Sequence, residues 1–294
     1  MLDIDKIDVF INHKKIIKDV SFKVYPGSIV GLVGPNGAGK TTIMKTILGL
    51  TKFEGSITLD NAPVKENDHK ALSRVGALIE NPAIYPFLTG KQNLELYGYE
   101  ASNIDKIVTK LGMGSYIDQK SKGYSLGMKQ KLGIAIALLN NPKLVILDEP
   151  MNGLDVESTI LVRKIIKTMA EKGTAFLISS HVLSELQKVM SQVVLINDGE
   201  IIADKDVVEF NELSLKEFKV IPEDYDKIKE LLTENVVHFE AEKDGFVIKK
   251  EDVYRVQDII YSDGLHLKEI APRDDSFEKI IVQLLNKQRM KRHA

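Results

Sequence analysis

The chain has 294 residues, a formal charge of −2 and no cysteine. That length leaves room for one large domain or a large and a small one, and the near-neutral charge gives no electrostatic reason to expect nucleic acid as a partner. Disulfides, thiolate metal sites and a cysteine nucleophile are excluded. No window approaches the ~18–20 consecutive apolar residues of a membrane span, and the opening Met1-Leu2-Asp3-Ile4-Asp5-Lys6 does not form a signal peptide, so the expected location is cytoplasmic.

In chain order, residues 3–11 and 16–24 read as strands, and Pro26-Gly27 turns the chain into a third. That third stretch, Ile29-Val30-Gly31-Leu32-Val33, is largely apolar. It runs into Gly34-Pro35-Asn36-Gly37-Ala38-Gly39-Lys40-Thr41-Thr42 and then a helical pattern, Ile43-Met44-Lys45-Thr46-Ile47-Leu48. Residues 34–41 fit G-x-x-x-x-G-K-[ST], a phosphate cradle. Gly34, Gly37 and Gly39 carry no Cβ, so the backbone can curl and aim successive N–H groups at an anion. The helix behind adds its positive end. Lys40 is suited to the β- and γ-phosphates of a bound nucleotide and the Thr41 hydroxyl to Mg²⁺. A glycine-rich turn without a ligand is the alternative, and the strand–loop–helix context disfavours it.

Residues 55–61 form a short strand and turn, and from about 64 to 140 the texture is helical. Ile104, Ile107, Val108 and Leu111 share one face of a helix, and a second helix from Met128 to Leu139 is stopped by Asn140-Asn141-Pro142. Apolar runs return at 144–147, 175–178 and 193–196, separated by helical patterns, as in a parallel sheet covered on both faces. The expectation is an α/β nucleotide-binding domain over 1–210 with a helical subdomain at about 80–140. Residues 205–216 are polar and without strong periodicity. Beyond them come a strand (217–221), helix (224–234), strands (236–242 and 246–250), helix (251–263), strand (265–271) and a last helix from Asp274-Asp275. That order predicts a small ferredoxin-like α+β domain over 216–294. Its last helix places Phe277, Ile280, Ile281, Leu284 and Leu285 on one face. The basic tail from Lys287 reads as a solvated helix end rather than a lipid-binding segment.

Phosphate sites of this kind need a carboxylate at the end of a neighbouring strand, and Leu144-Val145-Ile146-Leu147-Asp148-Glu149-Pro150 supplies two. Asp148 suits the Mg²⁺ and Glu149 suits an attacking water. With these residues in view, the chain resembles the ATP-binding subunit of an ABC transporter, a P-loop NTPase, over residues 1 to about 205. Four further segments carry the resemblance. Tyr124-Ser125-Leu126-Gly127-Met128 stands where the family has LSGGQ, which implies that Ser125, Leu126 and Gly127 complete a site held by a second subunit. Leu126 and Met128 depart from the family's glycine and glutamine. Asn152-Gly153-Leu154-Asp155 resembles the D-loop, placing Asp155 at the dimer interface. His181 resembles the switch histidine, which contacts the γ-phosphate and positions Glu149.

The fourth segment is Glu80-Asn81-Pro82, where most members have glutamine. Glutamate also offers an oxygen to Mg²⁺ or water, but adds a charge. Glu80 with the Y-S-L-G-M signature is similar to the branch handling bacitracin and lantibiotics. Ile84, Tyr85, Phe87 and Leu88 follow it, where the family receives a permease helix. Phe10 is the candidate for stacking on adenine. The resemblance implies an ATPase peripheral on the inner face of the membrane, paired with an identical or sister ATPase and with a separate integral-membrane permease. It would export, or give immunity to, antimicrobial or cytolytic peptides or drugs. A soluble, non-transport ABC-type ATPase is the alternative. Residues 216–294 resemble the accessory domain of drug- and peptide-exporter ATPases.

Overall fold

The computed structural model describes residues 1–212, 217–272 and 277–293. The chain divides into two compact units, Met1–Val207 and Val208–Ala294.

The first unit opens with β1 (Leu2–Ile11), β2 (Lys14–Val24) and β3 (Ile29–Val33), and the glycine loop then leads into α1 (Lys40–Ile47). β4 (Glu54–Leu59), β5 (Ala62–Pro63) and β6 (Val75–Leu78) follow, then α2 (Gly90–Glu95), α3 (Ala101–Lys110) and α4 (Leu126–Leu138). The chain continues through β7 (Leu144–Asp148), α5 (Val156–Glu171), β8 (Ala175–Ser179), α6 (Leu183–Gln187), β9 (Gln192–Asn197) and β10 (Glu200–Asp206). One sheet runs β2-β1-β4-β5, and the other runs β10-β9-β3-β8-β7-β6. In the second sheet the pairs β9/β3, β3/β8, β8/β7 and β7/β6 are parallel, and β10 is antiparallel to β9.

Every residue of β3, β7 and β8 is buried, which is why these stretches read as continuous apolar runs rather than as alternation. α1 joins the two sheets. Its Ile43, Met44 and Ile47 share one core with Ile4 of β1, Ile17 of β2 and Leu32 of β3. Full burial of each such side chain contributes roughly 1.5–3 kcal/mol. α1 therefore cannot shift without opening the core, and the loop at its start is fixed with it.

Three expectations change. Residues 75–78, inside the stretch read as helical, form strand β6, with Leu78 opposite Leu147 of β7. Four residues are too few to display a period. β7 is not hydrogen-bonded to β3, because β8 lies between them. Finally, the polar seam contains a short helix, α7 (Val207–Glu212), whose one buried side chain is Phe210.

The second unit carries β11 (Glu217–Pro222), α8 (Tyr225–Glu234), β12 (Phe239–Glu242), β13 (Gly245–Lys249), α9 (Val253–Ser262), β14 (Leu267–Pro272) and α10 (Phe277–His293). Its sheet runs β12-β13-β11-β14 with every pair antiparallel. Val220, Phe246 and Ile248 of the sheet pack on Ile228 and Leu232 of α8 and on Val256 and Ile260 of α9. Phe277, Ile280 and Ile281 of α10 are buried, while Leu284 and Leu285 are half-buried. The Phe277 ring lies 5.0 Å from that of Phe210. The expected helix start at Asp274-Asp275 lies outside the described residues. Among the described residues no helix is long and apolar enough to cross a membrane.

Candidate nucleotide site

β3 delivers the glycine loop at the C-terminal edge of the parallel sheet. A Cβ on Gly34 would lie 2.1 Å from the Ile196 carbonyl oxygen of β9, so only glycine fits against that strand. Gly39 has φ 109, and a Cβ there would lie 2.5 Å from Ile17. Gly39 is also the N-cap of α1, and no side chain caps the helix. The first-turn N–H groups of a helix have no partner within it, which suits them to an anion. Lys40 is buried, and its ammonium donates to the Gly34 carbonyl at 2.7 Å and the Pro35 carbonyl at 3.1 Å. Burial holds its pKa below the ordinary lysine value, opposed by the nearby Glu149 and Asp148 carboxylates.

β7 ends at Asp148 beside Ser179, the last residue of β8. The Thr41 hydroxyl donates to Asp148 Oδ2 at 2.7 Å, and the Ser179 hydroxyl donates to Asp148 Oδ1. A hydroxyl on the loop helix and a hydroxyl on the intervening strand thus fix both oxygens of one carboxylate. These hard oxygen donors fit Mg²⁺, which takes one or two carboxylates and completes its shell with water and phosphate. Among the described residues no group of three or more His, Cys, Asp and Glu side chains could hold a metal.

Glu149 has φ 51, a left-handed conformation that costs a non-glycine residue about 1–3 kcal/mol. Its N–H donates to the Ser179 carbonyl at 3.2 Å, and its own carbonyl accepts from Gln130 Nε2 at 3.1 Å. Its carboxylate oxygen Oε2 accepts from the His181 backbone N–H at 3.0 Å and lies 2.6 Å from His181 Nδ1. An ionised carboxylate can only accept, so this contact places a proton on Nδ1. A carboxylate held in this way, one residue beyond Asp148, can act as a base toward a water at the loop.

The remaining candidates fall into two groups. Ser125 caps α4 by accepting from the Met128 N–H at 3.2 Å. A Cβ on Gly127 would lie 2.7 Å from the Gly153 carbonyl oxygen, and one on Gly153 would lie 2.5 Å from the exposed Leu126 side chain. Residues 125–127 are therefore seated on the 152–155 turn. Asp155 caps α5 by accepting from the Ser158 N–H at 2.7 Å. The Ser158 hydroxyl and amide hold its carboxyl below the ordinary carboxylate range.

Glu80 and Phe10 make no hydrogen bond to Thr41 or Asp148. Glu80, at φ 59, pairs at 2.7 Å with Lys45 of α1. Phe10 projects half-exposed from β1, with the Lys15 ammonium 5.8 Å from its ring centre. Tyr85 and Phe87 are exposed, while Ile84 and Leu88 are half-buried. The buried Asn93 amide clasps the base of this loop, accepting from the Tyr85 N–H at 2.7 Å and donating to the Thr89 carbonyl at 2.9 Å. Ser179, Gln130 and Lys45 had no assigned role in the sequence reading. A serine closing an apolar run was the one visible trace of the first.

Fold and site together define a P-loop NTPase. Residues 17–152 match the family described as ABC transporter. The chain is 38% identical to an uncharacterized ABC transporter ATP-binding protein, YdbJ, of Bacillus subtilis (strain 168), over 95% of this chain and 93% of that protein. It is 38% identical to the lantibiotic transport ATP-binding protein SrtF of Streptococcus pyogenes, over 70% of this chain and 91% of that one. The solved structure of an ATP binding subunit of an ABC transporter matches it with a TM-score of 0.68 at 26% identity, covering 72% of this chain and 92% of that chain. The chain therefore belongs to the ABC transporter ATP-binding family, and it is an ATPase subunit of that class.

Proposed function

We propose that the chain hydrolyses ATP at a site shared by two ATP-binding subunits and couples hydrolysis to export of antimicrobial or cytolytic peptides or drugs. The observation that carries this reading is the bonded run from Thr41 through Asp148 to Ser179, with Glu149 beside it on His181. Backbone N–H groups of 37–41, with Lys40, bind the phosphates, flanked by Gly34, Pro35, Asn36 and Thr42. Thr41 and Asp148 hold Mg²⁺, which when bound neutralises charge on the β- and γ-phosphate oxygens. Glu149 takes the proton of the attacking water. His181 holds Glu149 Oε2 in place and meets the γ-phosphate. Glu80 reaches the ion or the water by leaving Lys45, and Phe10 stacks on adenine.

Residues 125–127 adjoin the 152–155 turn, which supports their service, with Asp155, to the partner subunit's nucleotide. No single chain is then a complete catalyst. Similarity to a lantibiotic transport protein supports peptide cargo. The exposed Tyr85 and Phe87 support docking of a separate membrane permease, which would hold this subunit on the inner face of the membrane. Residues 216–294 have an accessory role in pairing or regulation, and a chain cut at about 210 with unchanged pairing and turnover would remove that role.

The test is the mass and ATPase rate of wild type and Glu149→Gln, with and without MgATP. The variant is expected to bind MgATP and double its mass, with turnover in wild type alone. Normal turnover in the variant would overturn the role given to Glu149, and a variant that binds MgATP yet stays monomeric would overturn a site shared between two copies of this chain.

A further inference from the structure

The geometry points to Gln130 as a positioning residue. It ties the peptide of Glu149 to the helix whose tip serves the other subunit, so each subunit's base is held by the element that senses its partner. The coupling half of this inference rests on the shared site proposed above. The hold on Glu149 does not.

Gln130 is buried on α4, where a side-chain amide needs a partner. It finds one in the Glu149 carbonyl oxygen at 3.1 Å, which also accepts the Asn152 N–H at 3.1 Å. Because that partner can only accept, the amide must present its nitrogen. The same helix begins at Ser125, ~7.5 Å away along its axis. Its first turn sits on Gly153, with Leu126 over the glycine and Gly127 against its carbonyl. One rigid helix thus grips the 149–153 turn at both ends.

Glu149 occupies a left-handed conformation that it would leave if unheld. On its other side Ser179 and His181 fix its N–H and its carboxylate. Those groups belong to the sheet end and the segment after it, whereas Gln130 belongs to α4. When a partner's nucleotide draws the tip of α4, the pull reaches the Glu149 peptide directly through the Gln130 hydrogen bond, beside the seat of the tip on Gly153. A glutamine that merely filled space would support the fold without transmitting this.

The test is Gln130→Leu, which keeps the bulk and removes the donor. In the protein without added nucleotide, hydrogen exchange at the 149–153 amides should rise several-fold, with exchange in β7 and β8 unchanged. In steady state kcat should fall about tenfold or more while KM for MgATP stays within about twofold. In the Glu149→Gln background, added Gln130→Leu should leave MgATP-dependent doubling of mass intact. Unchanged exchange at 149–153 would overturn the hold on Glu149. Changed exchange with an unchanged kcat would overturn the coupling. Loss of MgATP binding together with pairing would make Gln130 a structural support of α4 and overturn the positioning role. If Glu149→Gln alone never pairs, the site shared between two copies of this chain fails and the coupling between them with it, and the exchange result decides the hold.

Discussion

The two units solve the problem of a folded core in opposite ways. Every buried polar or charged side chain among the described residues lies in the first unit, including Lys40, Gln130, Asp148 and Ser179 at the site and Asn93 under the exposed aromatic loop. The second closes on Val220, Phe246, Ile248 and the apolar faces of two helices. Its Lys219 pairs with Glu242 and Asp244 outside that core. Burying a polar group is unfavourable unless each one finds a partner. In the first unit the partnerships of Lys40, Gln130, Asp148 and Ser179 lie at the candidate nucleotide site, so there the bonds that stabilise the fold are also those of the proposed chemistry. In the second unit the buried side chains among the described residues are apolar, so its core rests on packing.

Four substitutions would break or sharpen this contrast. Glu149→Gln removes a base from the first unit and should lower kcat by about 10²–10⁴ with MgATP affinity retained, as read from steady-state rates and nucleotide titration. Phe246→Ala empties the middle of the second core and should destabilise that unit by about 3–5 kcal/mol in a thermal melt. MgATP affinity should not change, and if it falls, the two units are not separable in this way. Ser179→Ala leaves Asp148 Oδ1 without its donor and should cost about 1–3 kcal/mol. Here, unlike Phe246→Ala, the magnesium dependence of ATP binding should shift along with stability.

The smallest effect belongs to an exposed charge on the first unit. The Lys143 ammonium beside Asp60 holds that carboxyl down from 3.8 to about 2. A depressed carboxyl stabilises the fold above its unfolded pKa, and the gain is lost as pH falls through the folded value. Asp60→Asn should therefore be less stable at neutral pH by a fraction of about 1 kcal/mol, solvent screening keeping it small. The gap between the two melting curves should close between pH 3.8 and about 2. A gap that persists below pH 2 would mean that the substitution acts through something other than charge.

The phosphate loop was legible because glycine, lysine and threonine at fixed offsets have one common use, and the strand before it and the helix after it have opposite periods. Asp148 and Glu149 were legible as a break in an apolar run. β11 through β14 were legible to within a few residues, since each strand or helix there is bounded by its own turn or cap. The neighbours across the sheet were not. Nothing in the local pattern of residues 175–179 says that this strand passes between β3 and β7, because pairing order is decided by long-range packing. The roles of Ser179 and Gln130 were hidden for the same reason, being properties of what lies opposite. Glu80 was read as a ligand because it stands where the resembled family has glutamine, and its pairing with Lys45 was hidden, that residue being far away in sequence and near only because α1 packs where it does.

The strand between β3 and β7 also sets a gauge. With β8 interposed, the two strands that carry the loop and the carboxylates stand two ladder spacings apart, ~9.6 Å. That interval is written in main-chain hydrogen bonds, which are indifferent to the identity of the side chains above and below. Leucine, isoleucine, valine and phenylalanine can exchange along β3, β8 and β7 over long stretches of descent without widening or narrowing it. Distant relatives can therefore lose most of their shared residues and still measure the same distance from loop to carboxylate.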